Sequence, residues 1–552
     1  MNTKIFRNDL FFFFLVTLFG FTLFLGNVPL FDWDEINFAE SAREMIVSKN
    51  YFQVQINFEP FWEKPPLFFW LQCIAMHIFG VNEFAARIPN ALIGILTIIY
   101  LYWLGNQWKG ILMARILAVL YAASFLPAIY FKSGIIDPVF NFFIFVALFH
   151  LFQFEVFKSN AEDRKNQLRP WWVGIFLGLA TLTKGPACIL IVGATYFIYK
   201  AFFDRKFHFL AIGKIILTFS LLVFGWYGFE TLVHGSWFVE KFITYQIRLF
   251  TQEDAGHGQP FYYHLLIFTF GCFPLSIFTF RGMFQKYEDE KDNLLKNFML
   301  IWFWVVMILF SIAKTKIIHY SSLLYFPAAF LSALFLLEKI KTNKKMPFDV
   351  YFLFVLGMLL WGVAPSLINV ISSNLDKIIS ILPENREKIF VKGILSANVV
   401  WSGYEYLIGV VFLIGLLFNV FYLYRKKYLY FIYLQLFLNL FLINGEYYFV
   451  LPKIAKYTQG ANVEFFSNLA NKDVYFLTAN YKSYTPYFYG KIKPLDNPNA
   501  YNNDSLIEGA IDKDVYISAK NIAVNEVFLK RYHLFTKLYE AGGFVFFVRK
   551  KI

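Results

Sequence analysis

The residues of this sequence that can do chemistry are ionisable groups at the ends of apolar stretches. Asp34 and Glu35 follow the first long apolar run, with Asn37 close behind. Glu63 and Lys64 precede Pro65-Pro66, Asp137 lies in GIIDPVF, and Lys184 lies in LTKGP. His257 falls in DAGHGQPFYYH, and Lys314, Lys316, His319 and Tyr320 fall in AKTKIIHY. Each has an ordinary explanation. Carboxylates cap helix starts, and Asp137-Pro138 fits a cap with proline at the first helical position. An exposed Glu63–Lys64 pair is worth little, Lys184 can snorkel, His257 reads as a surface histidine, and Lys with Tyr anchors a helix at an interface. Gathered at one membrane face they suggest more. Ionisable groups at membrane depth are functional candidates. Cations beside interfacial helices suit a phosphate at headgroup level. Carboxylates next to them suit general-base work on a hydroxyl, or metal binding. The expected chemistry is transfer or hydrolysis at a lipid-linked phosphate, and the residue types leave both open.

The elements that must position these groups follow from composition. Of 552 residues, 58% are hydrophobic, 22% aromatic and only 16% charged. Mean hydropathy is +0.50. This excludes a disordered chain and an ordinary soluble enzyme and indicates an α-helical polytopic membrane protein. Thirteen apolar stretches approach the length of a spanning helix, at about 9–28, 86–107, 111–131, 135–157, 171–184, 186–203, 208–231, 261–281, 297–313, 319–338, 348–370, 403–424 and 428–447. The first reads as a retained anchor. The net charge of +13 is explained by orientation, not by nucleic acid. With the N-terminus inside, that terminus and the inner loops together collect 21 Lys and Arg, and the C-terminal segment falls outside. Cys73, Cys188 and Cys272 are far apart and form no metal or disulfide pattern.

The chemistry-bearing residues all fall on the outer side, where the loops are long (29–85, 232–260, 371–402 and 448–552). In the first, residues 37–47 read as an amphipathic interfacial helix with Phe38, Ala42, Met45 and Ile46 on one face. Residues 66–79 read as a second. From 448 the composition turns polar. Short apolar runs at 473–478, 514–518 and 543–549 predict strands, 462–470 and 520–532 predict helices, and Ala541-Gly542-Gly543 predicts a hairpin turn. The expected domains are therefore 1–447, in the membrane, and 448–552, a small soluble α/β domain.

The stretches DEINFAESAREM (34–45), FWEKPPLFFWL (61–71), NEFAARIPNAL (82–92), LTKGP (182–186), EDAGHGQPFYYH (253–264) and AKTKIIHYSSLLYFP (313–327) resemble the polytopic C-type (GT-C) glycosyltransferases. They are most similar to the lipid A aminoarabinose transferases and their protein O-mannosyltransferase relatives. The resemblance implies a multi-pass enzyme of the bacterial inner membrane with a periplasmic site. It would move a hexosyl or pentosyl group, with inversion, from a polyprenyl-phosphate donor to a lipid (lipid A-like), glycan or protein acceptor, as in cell-envelope modification. It implies that Asp34 is the essential acid, with Asp137 as the second outer-loop acid. Lys64, Lys184, Lys314 and Lys316, with His319 and Tyr320, would hold the donor phosphate, and Glu35 and Asn37 would border the site. Glu63 and His257 match positions that can bind a divalent metal such as zinc; magnesium is the other metal to consider. One departure stands out: the aminoarabinose enzymes have Arg-Tyr where this chain has Asn37-Phe38.

Two other readings compete. A lipid or sugar transporter would need ionisable residues at mid-membrane and related halves, neither of which is present in the sequence. A non-catalytic subunit binding lipid-linked glycan would keep the cations and lose the acid, whereas Asp34 is present.

Overall fold

In hydrocarbon an apolar run must satisfy its own backbone, and a helix does so. All thirteen stretches fall on helices in the computed structural model, which describes residues 3–157, 164–253 and 258–551. Among the described residues nine helices are long and apolar enough to cross a membrane. A tenth span is possible if Tyr263–Gly271 and Leu275–Phe284, bent by 113°, count as one. The other three expected spans differ for physical reasons. The 111–131 stretch breaks into Ile111–Ala122 and Phe125–Tyr130. Arg164–Lys184 carries Arg164, Lys165 and Arg169 on its first turns. Ala187–Phe203 has only 17 residues.

Aromatic contacts and close helix approaches hold the bundle. Phe145 stacks on Phe326 with centroids 4.3 Å apart, and Phe125 on Trp361 at 4.1 Å. A Cβ on Gly282 would lie 2.2 Å from the Leu331 carbonyl oxygen, so only glycine lets these two helices meet there.

The first outer segment does not fold as expected. Its helix α2 (Asp34–Ser48) is buried without a break from Glu35 to Met45. It is therefore not an amphipathic helix with one face in solvent. Its polar side is covered and internally paired. Arg43 donates to Glu40 at 2.6 and 2.7 Å and to the Ile492 carbonyl at 2.9 Å. Glu44 accepts the N–H groups of Asn57 and Phe58, both at 2.7 Å.

A single buried pair fastens α2 to the bundle. Arg87, on the helix Glu83–Lys109, is 1% exposed. Its Nε and Nη2 donate to Glu35 at 3.0 and 2.7 Å. Its Nη1 donates to the carbonyls of Leu25 and Val28, and Nη2 to that of Pro29. Glu35 also accepts the N–H groups of Phe31 and Gly134.

The chain's last part forms a four-stranded sheet. Tyr475–Ala479 runs parallel to Val515–Lys520, which pairs antiparallel with Phe544–Arg549, which pairs with Thr536–Ala541. Three strands and the Gly542-Gly543 turn match expectation. Thr536–Ala541 was not foreseen, because this edge strand is exposed on five of its six residues and so carries no alternating apolar pattern. The segment 520–532 holds two short helical pieces, the 3₁₀ turn Asn521–Ala523 and the helix Glu526–Arg531, in place of one helix. Nor does the chain break at 447/448. The last long helix runs on through a π turn, Glu446–Val450, to Thr458. The composition changes there because exposure changes along one continuous helix.

Removing one partner of a buried ion pair leaves the other uncompensated, typically at a cost of about 3–5 kcal/mol. Arg87→Ala is expected to lower the thermal unfolding temperature in detergent strongly. Arg87→Lys should not restore it, because lysine lacks the planar fork. A wild-type melting temperature for either variant would remove this pair from its structural role.

Candidate active site

The site is assembled from helix ends. Asp34 opens α2. Asp137 opens the helix Asp137–Val156, with proline directly after it. Lys184 is the last residue of Arg164–Lys184, which stops at Gly185, a residue at φ +110°. His319 is the N-cap residue of the short 3₁₀ helix Tyr320–Leu324. Lys184 Nζ lies 2.6 Å from Asp137 Oδ1 and 4.5 Å from the centre of the Tyr320 ring. His319 Nε2 lies 3.5 Å from Asp137 Oδ2 and 3.6 Å from Asp34 Oδ2. These last distances are too long for strong hydrogen bonds. Asp137 Oδ2 is buried with no hydrogen-bond partner among the described residues. An orphaned carboxylate oxygen in a cavity wall is a place for a ligand hydroxyl.

The two acids differ in access. The Asp34 side chain is 42% exposed and that of Asp137 is 3% exposed. Burial pushes the His319 imidazole down from its ordinary value, and the carboxylates of Asp137 and Asp34 do not offset it. Lys64 makes no ion pair with a described residue; its ammonium sits 5.2 Å from the centre of the Tyr245 ring. Burial pushes Lys64 below the usual lysine value, against the opposing pull of Glu63.

These groups line one cavity of about 1780 Å³. Its wall combines the polar groups Asp34, Lys64, Asp137, Lys184 and His319 with apolar residues such as Leu360, Trp361, Ile368, Leu442, Val450 and Ile454. Of the expected site residues, Glu35, Asn37, Glu63 and Tyr320 also line it. Glu35 is committed to Arg87 and Asn37 is buried in α2, where its Oδ1 faces Ser41 Oγ at 3.5 Å. His257 lies outside the described residues.

Lys314 and Lys316 are not in the cavity wall. The segment around them is extended: Lys314 and Thr315 donate backbone N–H groups to Phe250 and Leu249, and Thr315 bridges to Gly258. Alternation along extended chain brings Thr315 and Ile317 to the cavity and sends the two lysines elsewhere. Lys314 is exposed, and the buried Lys316 donates to the Ala313 carbonyl. Arg248 and Lys482 occupy the wall instead. Arg248 was legible in principle, since its helix Trp237–Thr251 is strongly amphipathic. Lys482 carries no sequence signal, because it comes from the distant C-terminal part. Among the described residues no three His, Cys, Asp or Glu side chains converge as a metal ligand set. Glu63 is one donor and does not make a site, so no step below is routed through a metal.

Comparison with known proteins agrees with this architecture. Residues 63–226 match the family model for dolichyl-phosphate-mannose-protein mannosyltransferase. The chain is 26% identical over 334 residues to an undecaprenyl phosphate-α-4-amino-4-deoxy-L-arabinose arabinosyl transferase from Wigglesworthia glossinidia brevipalpis, covering 58% of each chain. It is 28% identical over 319 residues to an uncharacterized protein from Aquifex aeolicus, covering 56% of this chain and 60% of the other. The chain thus spans less than two thirds of the length of these relatives. The crystal structure of ArnT from Cupriavidus metallidurans bound to undecaprenyl phosphate superimposes with a TM-score of 0.75 over 98% of both chains, at 15% identity. The chain has the fold of that ArnT structure. The family match contains Lys64, Asp137 and Lys184, and Asp34 lies just before it.

Only the charged ammonium of Lys64 can pair with a phosphate, so affinity is lost as pH rises through its lowered pKa. Binding of polyprenyl phosphate is expected to weaken with pH starting below the ordinary lysine value of 10.5. In Lys64→Arg, whose guanidinium stays charged, that loss should disappear. Parallel loss in both proteins would show that another group titrates.

Proposed function

We propose that this GT-C chain is an inverting glycosyltransferase that moves a sugar from a polyprenyl-phosphate donor to a lipid, glycan or protein acceptor. The observation that carries the reading is the joining of an open carboxylate, cations set over aromatic rings and a large apolar lining in one cavity. The apolar lining suits an isoprenoid tail. Lys64 and Arg248 suit the phosphate, with Lys184 held ready by Asp137.

The reaction follows from this placement. The acceptor oxygen attacks the anomeric carbon, the bond from that carbon to the phosphate oxygen breaks, and polyprenyl phosphate leaves with the electron pair. Cations next to the departing phosphate stabilise the charge that develops on it. For a hydroxyl acceptor Asp34 takes the proton. For a phosphate acceptor the nucleophile is already ionised, and Asp34 orients it. The relatives named for an undecaprenyl-phosphate aminoarabinose donor support the donor class. Asn37-Phe38 in place of Arg-Tyr argues for a different sugar or acceptor.

The proposed setting is the bacterial inner membrane, crossed thirteen times, with the N-terminus cytoplasmic and both the cavity and the sheet-containing part (448–552) periplasmic. Lys and Arg at the opposite helix ends support this orientation. Single cysteines placed at Asn343 and at Ser467 should label from the cytoplasmic and periplasmic sides respectively. The reverse pattern would invert the topology.

The central test uses purified protein in nanodiscs, radiolabelled polyprenyl-phosphate sugars and a lipid extract. Asp34→Asn should reduce transfer by roughly 10²–10⁴-fold, the range of general-base effects, with donor binding and melting temperature unchanged. Transfer at wild-type rate by this variant would overturn the role of Asp34. Donor binding without any transfer by the wild type would turn the reading to a glycan-binding subunit.

A further inference from the structure

One wall of the cavity is made by neither the spans nor the donor-side cations. Trp33 stands between Asp32 and Asp34 and is 42% exposed although it lines the cavity. The ring of Tyr484 meets it edge-on, with centroids 6.5 Å apart at 89°. Lys482 Nζ lies 5.2 Å from the Trp33 centroid and 5.3 Å from that of Tyr484. It makes no ion pair with a described residue. The C-terminal part is stitched to α2 at this point. Tyr484 N–H donates to Asp32 Oδ1 at 3.1 Å, Asp32 N–H faces Gln459 Oε1 at 3.4 Å, and Gln459 Nε2 donates to the Leu30 carbonyl at 2.8 Å.

An aromatic face open to a polar cavity attracts the C–H face of a sugar ring. An ammonium held over two rings by cation–π contact is already in place; its nearest charge is Asp32, whose carboxylate is engaged by the Tyr484 N–H. Trp33, Tyr484 and Asp34 line the same cavity, and the Tyr484 hydroxyl senses the Asp34 carboxylate, so a ring resting on this platform is within the field of that acid. The Lys64 ammonium is held by another ring, that of Tyr245.

We infer that Trp33, Tyr484 and Lys482 form the acceptor platform, which takes a saccharide ring and selects one that carries an anionic group. The inference rests on the glycosyl-transfer reading for calling the bound sugar an acceptor. It assigns a task to the C-terminal part: completing the acceptor side of the cavity with residues 482–484.

The test uses the full chain in nanodiscs and two soluble probes, a disaccharide monophosphate and its neutral counterpart. Binding is measured by calorimetry, with inorganic phosphate as a control. Wild type should bind the phosphorylated disaccharide about tenfold or more tighter than the neutral one, the size of a charge-assisted contact, and tighter than inorganic phosphate. Lys482→Ala should lose that preference. Trp33→Leu should weaken both disaccharides, and Trp33→Phe should keep most of the affinity. In transfer assays the same changes should raise the acceptor KM and leave the donor KM and kcat near wild type. Equal binding of the two probes by wild type, no binding of either, or an intact preference in Lys482→Ala overturns the platform. Parallel loss of polyprenyl-phosphate binding in these variants also overturns it, since their role would then be structural. If wild type binds the probe through Lys482 yet transfers no sugar from any donor, the platform stands and the transferase reading falls.

Discussion

The buried Glu35–Arg87 pair is the constraint on which the site depends. Two charges taken out of water are costly unless every polar atom around them is satisfied. Here Arg87 reaches both Glu35 oxygens and the carbonyls of Leu25, Val28 and Pro29. Burial alone would raise the Glu35 carboxyl, but the guanidinium overrides this and holds it below its usual value. The pair joins three pieces of chain: the turn after α1 (Thr3–Thr22), the start of α2, and the loop at Gly134 that leads into Asp137; Lys132, which donates to the Leu23 carbonyl, adds a second tie between the first and the last. Asp34 and Asp137 are near neighbours of these fixed points. Their separation is thereby set by a buried, hydrogen-bonded network.

The cations of the cavity are held unequally. Asp137 holds Lys184, and Tyr320 lies beneath the same ammonium. His319 Nε2 stands between the two carboxylates, 3.6 Å from Asp34 Oδ2 and 3.5 Å from Asp137 Oδ2. Lys64, by contrast, faces an aromatic ring and no carboxylate at ion-pair distance among the described residues. A cation in that state, pushed down by burial, gains from an incoming phosphate what it lacks in the empty cavity. Fixed pairs supply geometry, and the less satisfied group supplies affinity.

How much of this was legible follows from which interactions are local. The spans were readable because hydrocarbon imposes length and apolarity on each segment alone. Asp34, Lys64, Asp137 and Lys184 were readable because a charge at the end of an apolar run is itself the anomaly. The lysines of AKTKIIHY misled, since only backbone pairing with Phe250 and Leu249 decides which side of that extended strip faces the cavity. Lys482 and Tyr484 were invisible because their place is fixed by a backbone bond to Asp32, about 450 residues away in sequence. The polar face of α2 suggested solvent, whereas its charges are spent on one another and on the hairpin at Gln55–Pro60.

The contrast between the two acids bears on their division of labour in the proposed reaction. A base must be reached by the acceptor hydroxyl and must accept its proton without first losing a cation. Asp34 meets both conditions, with a side chain 42% exposed and, among the described residues, no Lys or Arg at ion-pair distance; His319 Nε2 stands 3.6 Å away. Asp137 meets neither, at 3% exposure with Lys184 at 2.6 Å; protonating it would release that ammonium in a buried place. Its orphaned Oδ2 nevertheless faces the same histidine that faces Asp34. That oxygen is suited to accept a hydrogen bond from a sugar hydroxyl while its partner oxygen holds Lys184. Asp137 then positions the donor sugar, and Asp34, set by the Glu35–Arg87 tie one residue away, is left to take the proton.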